Sequence, residues 1–317
     1  MNAEEKKMYQ ASIKSIDTEE FIDLWFYRPL GFRCALFFRK HGIHPNIITI
    51  LSIFLGAAAG ICFAQENLRW NILGVLLLMW ANLYDSTDGQ LARITGQKTR
   101  WGRILDGFAG DVWFFFIYAA IAVRTTFEPI PFAPEYNWGV LIWILCSFAG
   151  FWVHGSQCQL ADYYRNVHLY FMNERNGHEF DTSTAQQKLF DSTPWRGNLA
   201  WKIFLHFYVA YTANQERMSP KFQRLMVLIR ERYGTNPPQE LREEFRKGSL
   251  PLMKYTNILT FNSRFIMLWF TMLIGQLWFY LFFELVILMA IFTYMRYRHE
   301  SLSARITKKL KQGYEYR

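Results

Sequence analysis

Residues 46–65 read NIITILSIFLGAAAGICFAQ, a run of twenty residues without a charged side chain. Residues 137–161 and 265–283 form two more uncharged runs of similar length. A helix needs about 20 apolar residues to cross a bilayer, so these runs predict membrane-spanning helices. The 317-residue chain is 51% hydrophobic and 18% aromatic, with four cysteines and a formal net charge of +9. This composition argues against a soluble globule, an intrinsically disordered chain and a disulfide-stapled secreted fold.

Further apolar segments raise the expected number of spans to six. Residues 71–84 and 112–123 are shorter apolar runs that flank a charged cluster, and each is expected to be the outer part of a membrane helix. Residues 255–295 contain only Arg264 and Glu284 as charged residues, which leaves room for two spans with a turn near Gly275. The alternative joins this last pair into one long span and gives five spans in total.

The distribution of basic residues favours six spans. With six spans, every one of the 35 lysines and arginines except Arg69 and Arg124 falls on the same side of the membrane. The positive-inside rule places that side in the cytoplasm, so both termini and the charged cluster are expected there. Five spans would instead export the basic C-terminal tail.

These spans divide an all-α integral membrane protein into five predicted segments. Residues 1–43 are expected to form an N-terminal amphipathic helix on the inner membrane surface. Residues 163–254 are expected to form a helical cytoplasmic insert between spans four and five. The other segments are the first four spans with the active site, the last two spans and the basic cytoplasmic tail, at residues 44–162, 255–296 and 297–317 respectively.

The predicted insert is basic and contains two helix starts. Pro220 and Pro237 each open a predicted helix, and the second of these helices is expected to end at Gly248. A basic domain that faces anionic lipid is expected for electrostatic reasons. The charge of the insert therefore does not indicate a nucleic-acid partner.

Carboxylates cluster where two predicted spans meet the cytoplasm. Residues 85–93 read DSTDGQLAR, and residues 102–111 read GRILDGFAGD. Asp85 and Asp88 share one helix face because they are three residues apart, and a second helix brings Asp106 towards them. A carboxylate inside the membrane costs about 2.5 to 3.5 kcal/mol on insertion scales, so a group of them needs compensation. Carboxylates bind hard divalent cations, and two such ions stabilise a phosphoryl displacement.

Aspartates at such positions also occur in proteins of different classes. Single aspartates near a membrane surface are often helix caps or loop charges. Intramembrane aspartates also mark ion pathways, as in a divalent-cation transporter, and a non-enzymatic membrane scaffold is a third class. Against a transporter, the carboxylates lie at one membrane face beside basic residues, and no corresponding polar groups occur in the outer halves of the spans.

The spacing of these residues resembles the signature of a known family. The pattern D-x-x-D-G-x-x-A-R, then eight residues, then G-x-x-x-D is similar to that of the CDP-alcohol phosphotransferases, also called CDP-alcohol phosphatidyltransferases. Residues 44–49, HPNIIT, resemble the opening of that family's first membrane helix. The resemblance covers roughly residues 30–165 and the last two spans. It implies six core helices, a site open to the cytoplasm, and transfer of a substituted phosphate from a CDP-linked donor to a hydroxyl acceptor.

The resemblance also implies roles for individual residues. Two Mg²⁺ or Mn²⁺ ions would be held by Asp85, Asp88 and Asp106. The donor nucleotide and its phosphates would contact Gly89, Ala92, Arg93 and Gly102. The charge of Arg93 suits a phosphate, and the small residues leave room for a ligand to approach.

One position departs from the family pattern. The family's fourth aspartate, a metal ligand and suspected general base, is expected four residues after Asp106, but Gly110 stands there and Asp111 follows. On a regular helix a four-residue step turns about 40° from Asp106, whereas a five-residue step turns about 140°. We expect a π-bulge between Gly107 and Gly110 to return Asp111 to the site as metal ligand and catalytic base. The alternative is a site with only three acidic ligands.

The stretch that ends at Asp106 indicates the head group. Residues 99–106, TRWGRILD, resemble the T-R-F-G-x-x-L-D stretch of phosphatidylinositol synthases more than the S-P-L-G stretch of choline and ethanolamine transferases. A polyol or its phosphate would suit the arginines expected in the site, namely Arg93, Arg100, Arg103 and Arg264. An inositol phosphorylceramide synthase, which would pass phosphoinositol from a non-CDP donor onto a ceramide-like alcohol, is the alternative. The expected partners are a bilayer lipid and a small alcohol or phospho-alcohol, and a homodimer is left open.

Overall fold

The computed structural model describes residues 3–13, 15–97, 99–172, 181–234 and 236–317. Over these residues the chain is almost entirely helical, which confirms the predicted all-α class. The α-helices, in chain order, are α1 (Ala3–Ser12), α2 (Arg28–Lys40), α3 (Pro45–Phe63), α4 (Leu68–Thr95), α5 (Arg100–Thr125), α6 (Gly139–Phe148), α7 (Gly155–Met172), α8 (Ser183–Ser192), α9 (Leu199–Met218), α10 (Pro220–Tyr233), α11 (Gln239–Ser249), α12 (Met253–Ile258), α13 (Phe261–Leu273), α14 (Trp278–Phe282) and α15 (Met289–Lys311).

Short non-α elements interrupt this series. A small antiparallel hairpin, β1 (Pro129–Ile130) and β2 (Ala133–Asn137), connects α5 to α6, with Pro129 opposite Asn137. Among the described residues, three π-helical turns and two 3₁₀ turns also occur. The π turns cover Asp23–Tyr27, Ala149–His154 and Phe283–Leu288, and the 3₁₀ turns cover Ile16–Thr18 and Leu250–Leu252.

The chain forms two compact units, each built from two separate segments. The first unit contains residues 1–155 and 262–285, and the second contains residues 156–261 and 286–317. The acidic motif, residues 85–111 with Asp85, Asp88 and Asp106, lies entirely in the first unit. The helices that begin at Pro220 and Gln239 lie in the second.

Four helices among the described residues are long and apolar enough to cross a membrane. They are Pro45–Phe63, Ile104–Thr125, Gly139–Met172 and Trp278–Lys311. These helices support an integral membrane protein. The other two expected spans correspond to α4, whose 28 residues include the acidic motif, and to α13, which has only 13 residues. Between α13 and α14 the backbone turns at Gly275, where φ is +65°, so residues 255–295 do not form one long helix.

Small residues let α3, α4 and α5 pack closely in the first unit. A Cβ added to Gly56 of α3 would lie 2.0 Å from Cδ1 of Trp113 on α5. One added to Gly74 of α4 would lie 2.5 Å from Cε1 of Phe63 on α3. The Trp113 indole also donates a hydrogen bond to the Ser52 carbonyl at 2.9 Å. Close backbone approach through small residues is the usual way in which membrane helices associate, and here it brings both α4 and α5 into close contact with α3.

The N-terminal segment has one exposed apolar side and one buried side. Phe21 and Trp25 are largely exposed, whereas Tyr27 and Phe32 are buried. Pro29 lies in the first turn of α2, where its missing N–H costs no helical hydrogen bond. The described part of this segment therefore contains two helices, α1 and α2, separated by a 3₁₀ turn and a π turn, instead of one continuous amphipathic helix.

The second unit contains the two helices that were predicted inside the insert. Helix α10 begins at Pro220, as predicted, and α11 ends at Ser249, one residue after the predicted end. The Glu300 carboxylate of α15 accepts hydrogen bonds from the N–H groups of Lys221 at 2.7 Å and Phe222 at 3.2 Å. A carboxylate at this position accepts hydrogen bonds from N–H groups in the first turn of α10, which have no partner within the helix. Its negative charge also interacts favourably with the positive end of the helix dipole.

The C-terminal residues fold back onto α11. The N–H of Glu240 donates to the Arg317 carbonyl at 3.0 Å, and the N–H of Arg317 donates to the Glu240 carboxylate at 3.1 Å. The Tyr314 hydroxyl donates to the same carboxylate. The pKa of Glu240 is lowered from its usual value. The main cause is the hydrogen bond from the Tyr314 hydroxyl, and the second is the hydrogen bond from the Arg317 N–H.

Candidate active site

Three aspartates from α4 and α5 converge in the first unit. One carboxylate oxygen from each of Asp85, Asp88 and Asp106 lies within 4.8 Å of the others. Asp85 is half-buried, Asp88 is buried and Asp106 is exposed. The three-residue step on α4 places the first two on one helix face, and the packing of α5 supplies the third. The structure thus brings together the three residues that were predicted as metal ligands.

The start of α3 holds Asp88 in place. The Thr49 hydroxyl donates a hydrogen bond to the Asp88 carboxylate, and both side chains are buried. Pro45 occupies the first turn of α3, and the preceding His44 ring accepts a hydrogen bond from the Asn46 N–H at 3.2 Å. A hydrogen bond to a charged carboxylate is stronger than one between neutral groups. The hydrogen bond from Thr49 therefore fixes the orientation of the buried Asp88 carboxylate.

The first turn of α5 is tied to the same end of α3. The Thr99 hydroxyl caps α5 by accepting a hydrogen bond from the Gly102 N–H at 2.9 Å, and it also bonds Asn46 Oδ1 at 3.3 Å. A Cβ added to Gly102 would stand 3.0 Å from Asn46 Oδ1 and 3.1 Å from Thr99 Oγ1. The absence of a side chain at Gly102 therefore lets α5 begin close to α3, one turn before Asp106.

Arg93 lies beside Gly89 on α4. A Cβ added to Gly89 would lie 3.4 Å from Nη1 and from Nη2 of Arg93. The Arg93 Nε donates to the Ser12 carbonyl at 2.5 Å, and the side chain is half-buried, as is Ala92. This arrangement leaves a guanidinium next to a residue without a side chain, which suits the approach of an anionic ligand. The side chains of two other predicted substrate contacts, Arg100 and Arg103, lie outside the described residues.

Asp111 does not join the three aspartates. The π-bulge predicted between Gly107 and Gly110 is not present, because α5 is an α-helix throughout Arg100–Thr125. On that helix Asp111 is turned about 140° from Asp106. Its side chain is exposed, and in the described part of the chain it falls outside the group of converging carboxylates. The prediction that a bulge returns Asp111 to the site is therefore wrong for this structure.

Arg264 forms a buried ion pair with Glu284 and does not line an open site. Its side chain is fully buried, and its Nε and Nη2 donate to the Glu284 carboxylate at distances from 3.0 to 3.3 Å. The His154 ring lies 3.7 Å from the same carboxylate, and the Tyr118 hydroxyl lies 3.4 Å from that ring. Tyr118 stands on α5 about 18 Å along the helix from Asp106. The expectation that Arg264 contacts a substrate phosphate does not fit this burial, and its observed role is an ion pair inside the first unit.

The N-terminal segment forms hydrogen bonds to α4, the helix that carries Asp85 and Asp88, and the sequence did not predict these contacts. Arg28 Nη1 donates to the Ser86 hydroxyl at 3.2 Å, and its Nε pairs with Glu19 at 2.9 Å. Gln90 Nε2 donates to the Arg28 carbonyl and to the Ser12 hydroxyl, each at 3.2 Å. One feature of the sequence could have indicated this contact. Several charged residues stand close together in an otherwise apolar stretch, namely Glu19, Glu20, Asp23 and Arg28.

The donor set fits a hard divalent cation. Two oxygens bound to one octahedral Mg²⁺ ion are roughly 3 to 4 Å apart, so three oxygens within 4.8 Å of one another need little adjustment. Three carboxylates at this spacing also repel one another, and a divalent cation would offset that repulsion. Asp85, Asp88 and Asp106 therefore have both the chemistry and the spacing to hold a divalent metal ion.

Comparison with known proteins agrees with this geometry. Residues 42–165 match the sequence model of the CDP-alcohol phosphatidyltransferase family. Over 81 residues the chain is 43% identical to an uncharacterized protein of Aquifex aeolicus (strain VF5), and the matched stretch is 26% of this chain. The chain spans 40% of the length of that curated relative. No solved structure matches the chain significantly.

The family match and the converging carboxylates fall in the same part of the chain, because residues 42–165 contain α3, α4 and α5. The family consists of transferases for substituted phosphate groups and is generally dependent on divalent metal ions. A membrane-enzyme family also agrees with the four apolar helices. The match of residues 42–165 to the CDP-alcohol phosphatidyltransferase model therefore supports membership of this transferase family.

Proposed function

We propose that this protein is a membrane enzyme that transfers a substituted phosphate from a CDP-linked donor to a hydroxyl acceptor in phospholipid head-group synthesis. The observation that carries this proposal is the approach of Asp85, Asp88 and Asp106 to within 4.8 Å inside the domain that matches the family. These aspartates would hold the two Mg²⁺ or Mn²⁺ ions of the proposed mechanism, and their spacing suits a divalent cation. Bound there, such ions would neutralise the charge on the diphosphate and stabilise the charge that develops during displacement.

The protein groups around the aspartates supply binding and orientation. Thr49 holds the Asp88 carboxylate in a fixed direction through its hydroxyl. The Arg93 guanidinium next to Gly89 would pair with the donor phosphates where no side chain blocks their approach. Gly102 would let the nucleotide reach the start of α5, where the backbone N–H groups form the positive end of a helix dipole.

We propose inositol or its phosphate as the alcohol. This assignment rests on residues 99–106 and on Arg93, Arg100 and Arg103, whose charges suit a polyol phosphate. The partner substrate would be a lipid in the bilayer. Arg264 is left out of this set because its guanidinium is paired with Glu284 in the interior of the first unit.

We also propose that both termini and the active site face the cytoplasm, with six membrane spans in total. The support is the distribution of lysine and arginine, of which only Arg69 and Arg124 fall on the opposite side. A water-soluble CDP-linked head group or inositol would be available on that side. Residues 163–254 would then be a cytoplasmic insert.

Purified protein in lipid nanodiscs tests the function directly. The protein is incubated with CDP-diacylglycerol and inositol, with Mg²⁺, with Mn²⁺ or with EDTA, and lipid products are read by mass spectrometry. We expect phosphatidylinositol and CMP with either metal ion and neither product with EDTA. Asp88→Asn and Asp106→Asn serve as controls that should give no product while remaining inserted and monodisperse.

The same preparation separates the alternatives. Product from phosphatidylinositol and ceramide, without product from any CDP-linked donor, would favour the inositol phosphorylceramide synthase. Uptake of Mn²⁺ into proteoliposomes without lipid transfer would favour a divalent-cation transporter. Either outcome would contradict the proposed use of a CDP-linked donor.

A further inference from the structure

The second unit contains an apolar helix that is not among the expected spans. Helix α9 (Leu199–Met218) follows α8 (Ser183–Ser192), and both helices lie in this unit. Residues 199–215 read LAWKIFLHFYVAYTANQ, in which Lys202 is the only lysine, arginine, aspartate or glutamate. A helix on the surface of a soluble domain usually carries charged or polar residues along its exposed face. The composition of α9 therefore calls for an apolar partner.

One face of α9 is apolar and exposed. The apolar stripe consists of Leu199, Ile203 and Phe207, which are 61%, 45% and 67% exposed. Their spacing of four residues places them on the same side of the helix. The other exposed positions between 199 and 210 hold two alanines and His206. The opposite side packs inward through Leu205, which is fully buried.

The charge of Lys202 is held inside the hairpin that α8 and α9 form. Its side chain is buried, and its ammonium donates a hydrogen bond to the Thr193 carbonyl at 2.7 Å. The same ammonium lies 4.6 Å from the centre of the Phe190 ring and 4.9 Å from that of the Trp195 ring, which are favourable cation–π distances. The lysine thus places no charge on the apolar stripe.

The open end of the α8–α9 hairpin is closed by a carboxylate. Glu216, near the end of α9, accepts hydrogen bonds from the N–H and from the hydroxyl of Ser183 at the start of α8, the first at 2.9 Å. Contacts at both ends therefore hold the two helices together. The apolar stripe is the outer side of a defined hairpin and not part of an irregular loop.

Both ends of the stripe carry residues that suit the membrane–water interface. Trp195 is 54% exposed in the turn between α8 and α9, and the adjacent Arg196 is exposed as well. Arg217 is exposed and follows Leu199 by 18 residues, which is five full turns, so it lies at the other end of the same face. Tryptophan is enriched at membrane interfaces, and basic side chains are attracted to anionic lipids.

Helix α9 is hydrogen-bonded to a helix that belongs to a candidate span. The Gln159 Nε2 of α7 donates to the Tyr211 carbonyl at 3.2 Å, and the Gln215 Nε2 donates to the Gln159 carbonyl at 2.9 Å. Gln159 lies in Gly139–Met172, one of the helices that are long and apolar enough to cross a membrane. This connection gives the hairpin a high effective concentration of lipid surface.

We propose that the α8–α9 hairpin binds the lipid bilayer, with α9 in the head-group region and the apolar stripe inserted at the boundary with the acyl chains. Trp195, Arg196 and Arg217 contact the head groups, and their charges favour anionic lipid. An exposed apolar stripe with cationic ends matches a negatively charged lipid surface in both hydrophobicity and charge. This interaction surface is independent of the proposed transfer reaction.

Spin labels on the full-length protein test the proposal without turnover. Nanodiscs contain phosphatidylcholine and phosphatidylglycerol, and a variant without the native cysteines receives Ile203→Cys, Phe207→Cys or the control Val227→Cys. Val227 of α10 is 52% exposed in the same unit, but Arg224 and Glu231 are its exposed neighbours at helical spacing. Collisions with oxygen, which concentrates in the bilayer, and with a water-soluble nickel chelate give the depth of each label.

We expect the labels at positions 203 and 207 to lie about 5 to 10 Å into the boundary region and the label at 227 to lie in water. Equal access of the nickel chelate to all three labels would overturn the proposal. Protection of positions 203 and 207 from both reagents would also overturn it, because protein, such as a second copy of the chain, would then cover the stripe. Leu199→Cys replaces either stripe variant if that variant does not remain monodisperse.

A charge placed in the stripe gives a sharper version. Phe207→Glu should move the label of Ile203→Cys towards water, because a carboxylate is costly to insert among acyl chains. Val227→Glu is the matched control and should leave the depth of that label unchanged. A label at position 203 that stays at the same depth in both variants would overturn the proposal.

Discussion

The hydroxyl of Thr49 on α3 donates a hydrogen bond to the carboxylate of Asp88 on α4, and both side chains are buried. This contact joins the first helix of the family domain to the acidic motif on the second. Because α5 also packs on α3, the position of α3 controls how closely Asp106 approaches the α4 aspartates. The site therefore depends on a helix that contributes no carboxylate to it.

Replacing Thr49 tests this dependence. A hydrogen bond to a charged group contributes about 1.5 to 3 kcal/mol, so we expect Thr49→Val to lower the transfer rate about 10- to 100-fold. Thr49→Ser keeps the hydroxyl and is the matched control. Turnover and Mn²⁺ affinity are measured for both variants. Equal values for the valine and serine variants would contradict a role for the hydroxyl.

Asp111 should be dispensable for the chemistry. Its side chain is exposed on a regular helix and lies outside the converging group among the described residues. We expect Asp111→Ala to reduce the transfer rate by less than about tenfold, or about 1.4 kcal/mol, whereas loss of a general base usually costs about 10² to 10⁴. Asp106→Asn, measured in the same assay, shows the effect of losing a site carboxylate. A loss above 100-fold in Asp111→Ala would show that α5 adopts another geometry during turnover.

The buried pair of Arg264 and Glu284 should contribute to stability. Arg264→Met would leave the Glu284 carboxylate buried without its main cation, which typically costs about 3 to 5 kcal/mol. The double variant Arg264→Met with Glu284→Leu removes both charges and should recover most of the lost thermal stability in detergent. It should also keep a KM for the donor close to wild type. A large rise in that KM in the stable double variant would show instead that Arg264 binds substrate.

Gly56 is predicted to be essential for the packing of α3 against α5. A Cβ at this position would stand 2.0 Å from the Trp113 ring, so the ring or the helix must shift. We expect Gly56→Ala to lower the free energy of unfolding by about 1 to 3 kcal/mol, the usual cost of overpacking. Gly107→Ala is the control, because a Cβ there meets no atom within 4 Å. Thermal unfolding in detergent that shows equal stability for the two variants would contradict the close contact.

The six-span topology predicts opposite locations for two sites in the last hairpin. A reporter fused after Arg317 should be cytoplasmic, and a cysteine at Gly275 should be labelled from the other side. The labelling uses a background in which the four native cysteines are replaced. A C-terminal reporter found outside the cell would contradict the proposed orientation.

Local sequence patterns were sufficient to predict several features of the protein. Long uncharged runs predicted membrane helices, because insertion depends on the hydrophobicity of a continuous segment and not on its neighbours. The spacing of Asp85 and Asp88 predicted a shared helix face, since three residues are close to one helical turn. The family-like spacing then indicated Asp106, and the structure brings these three carboxylates together. Pro220 likewise marked a helix start through its fixed φ angle.

Tertiary structure alone decided which distant side chains meet. Arg264 and Glu284 looked like isolated charges in apolar runs, and only helix packing made them a pair that satisfies both groups away from water. The expected bulge before Asp111 did not form, because the regular hydrogen bonds of α5 are kept through Arg100–Thr125. The hydrogen bond from Arg28 of α2 to Ser86 of α4 likewise joins residues 58 positions apart. Such contacts depend on how helices pack in three dimensions, whereas the periodicity of a sequence records only which side of each helix is apolar.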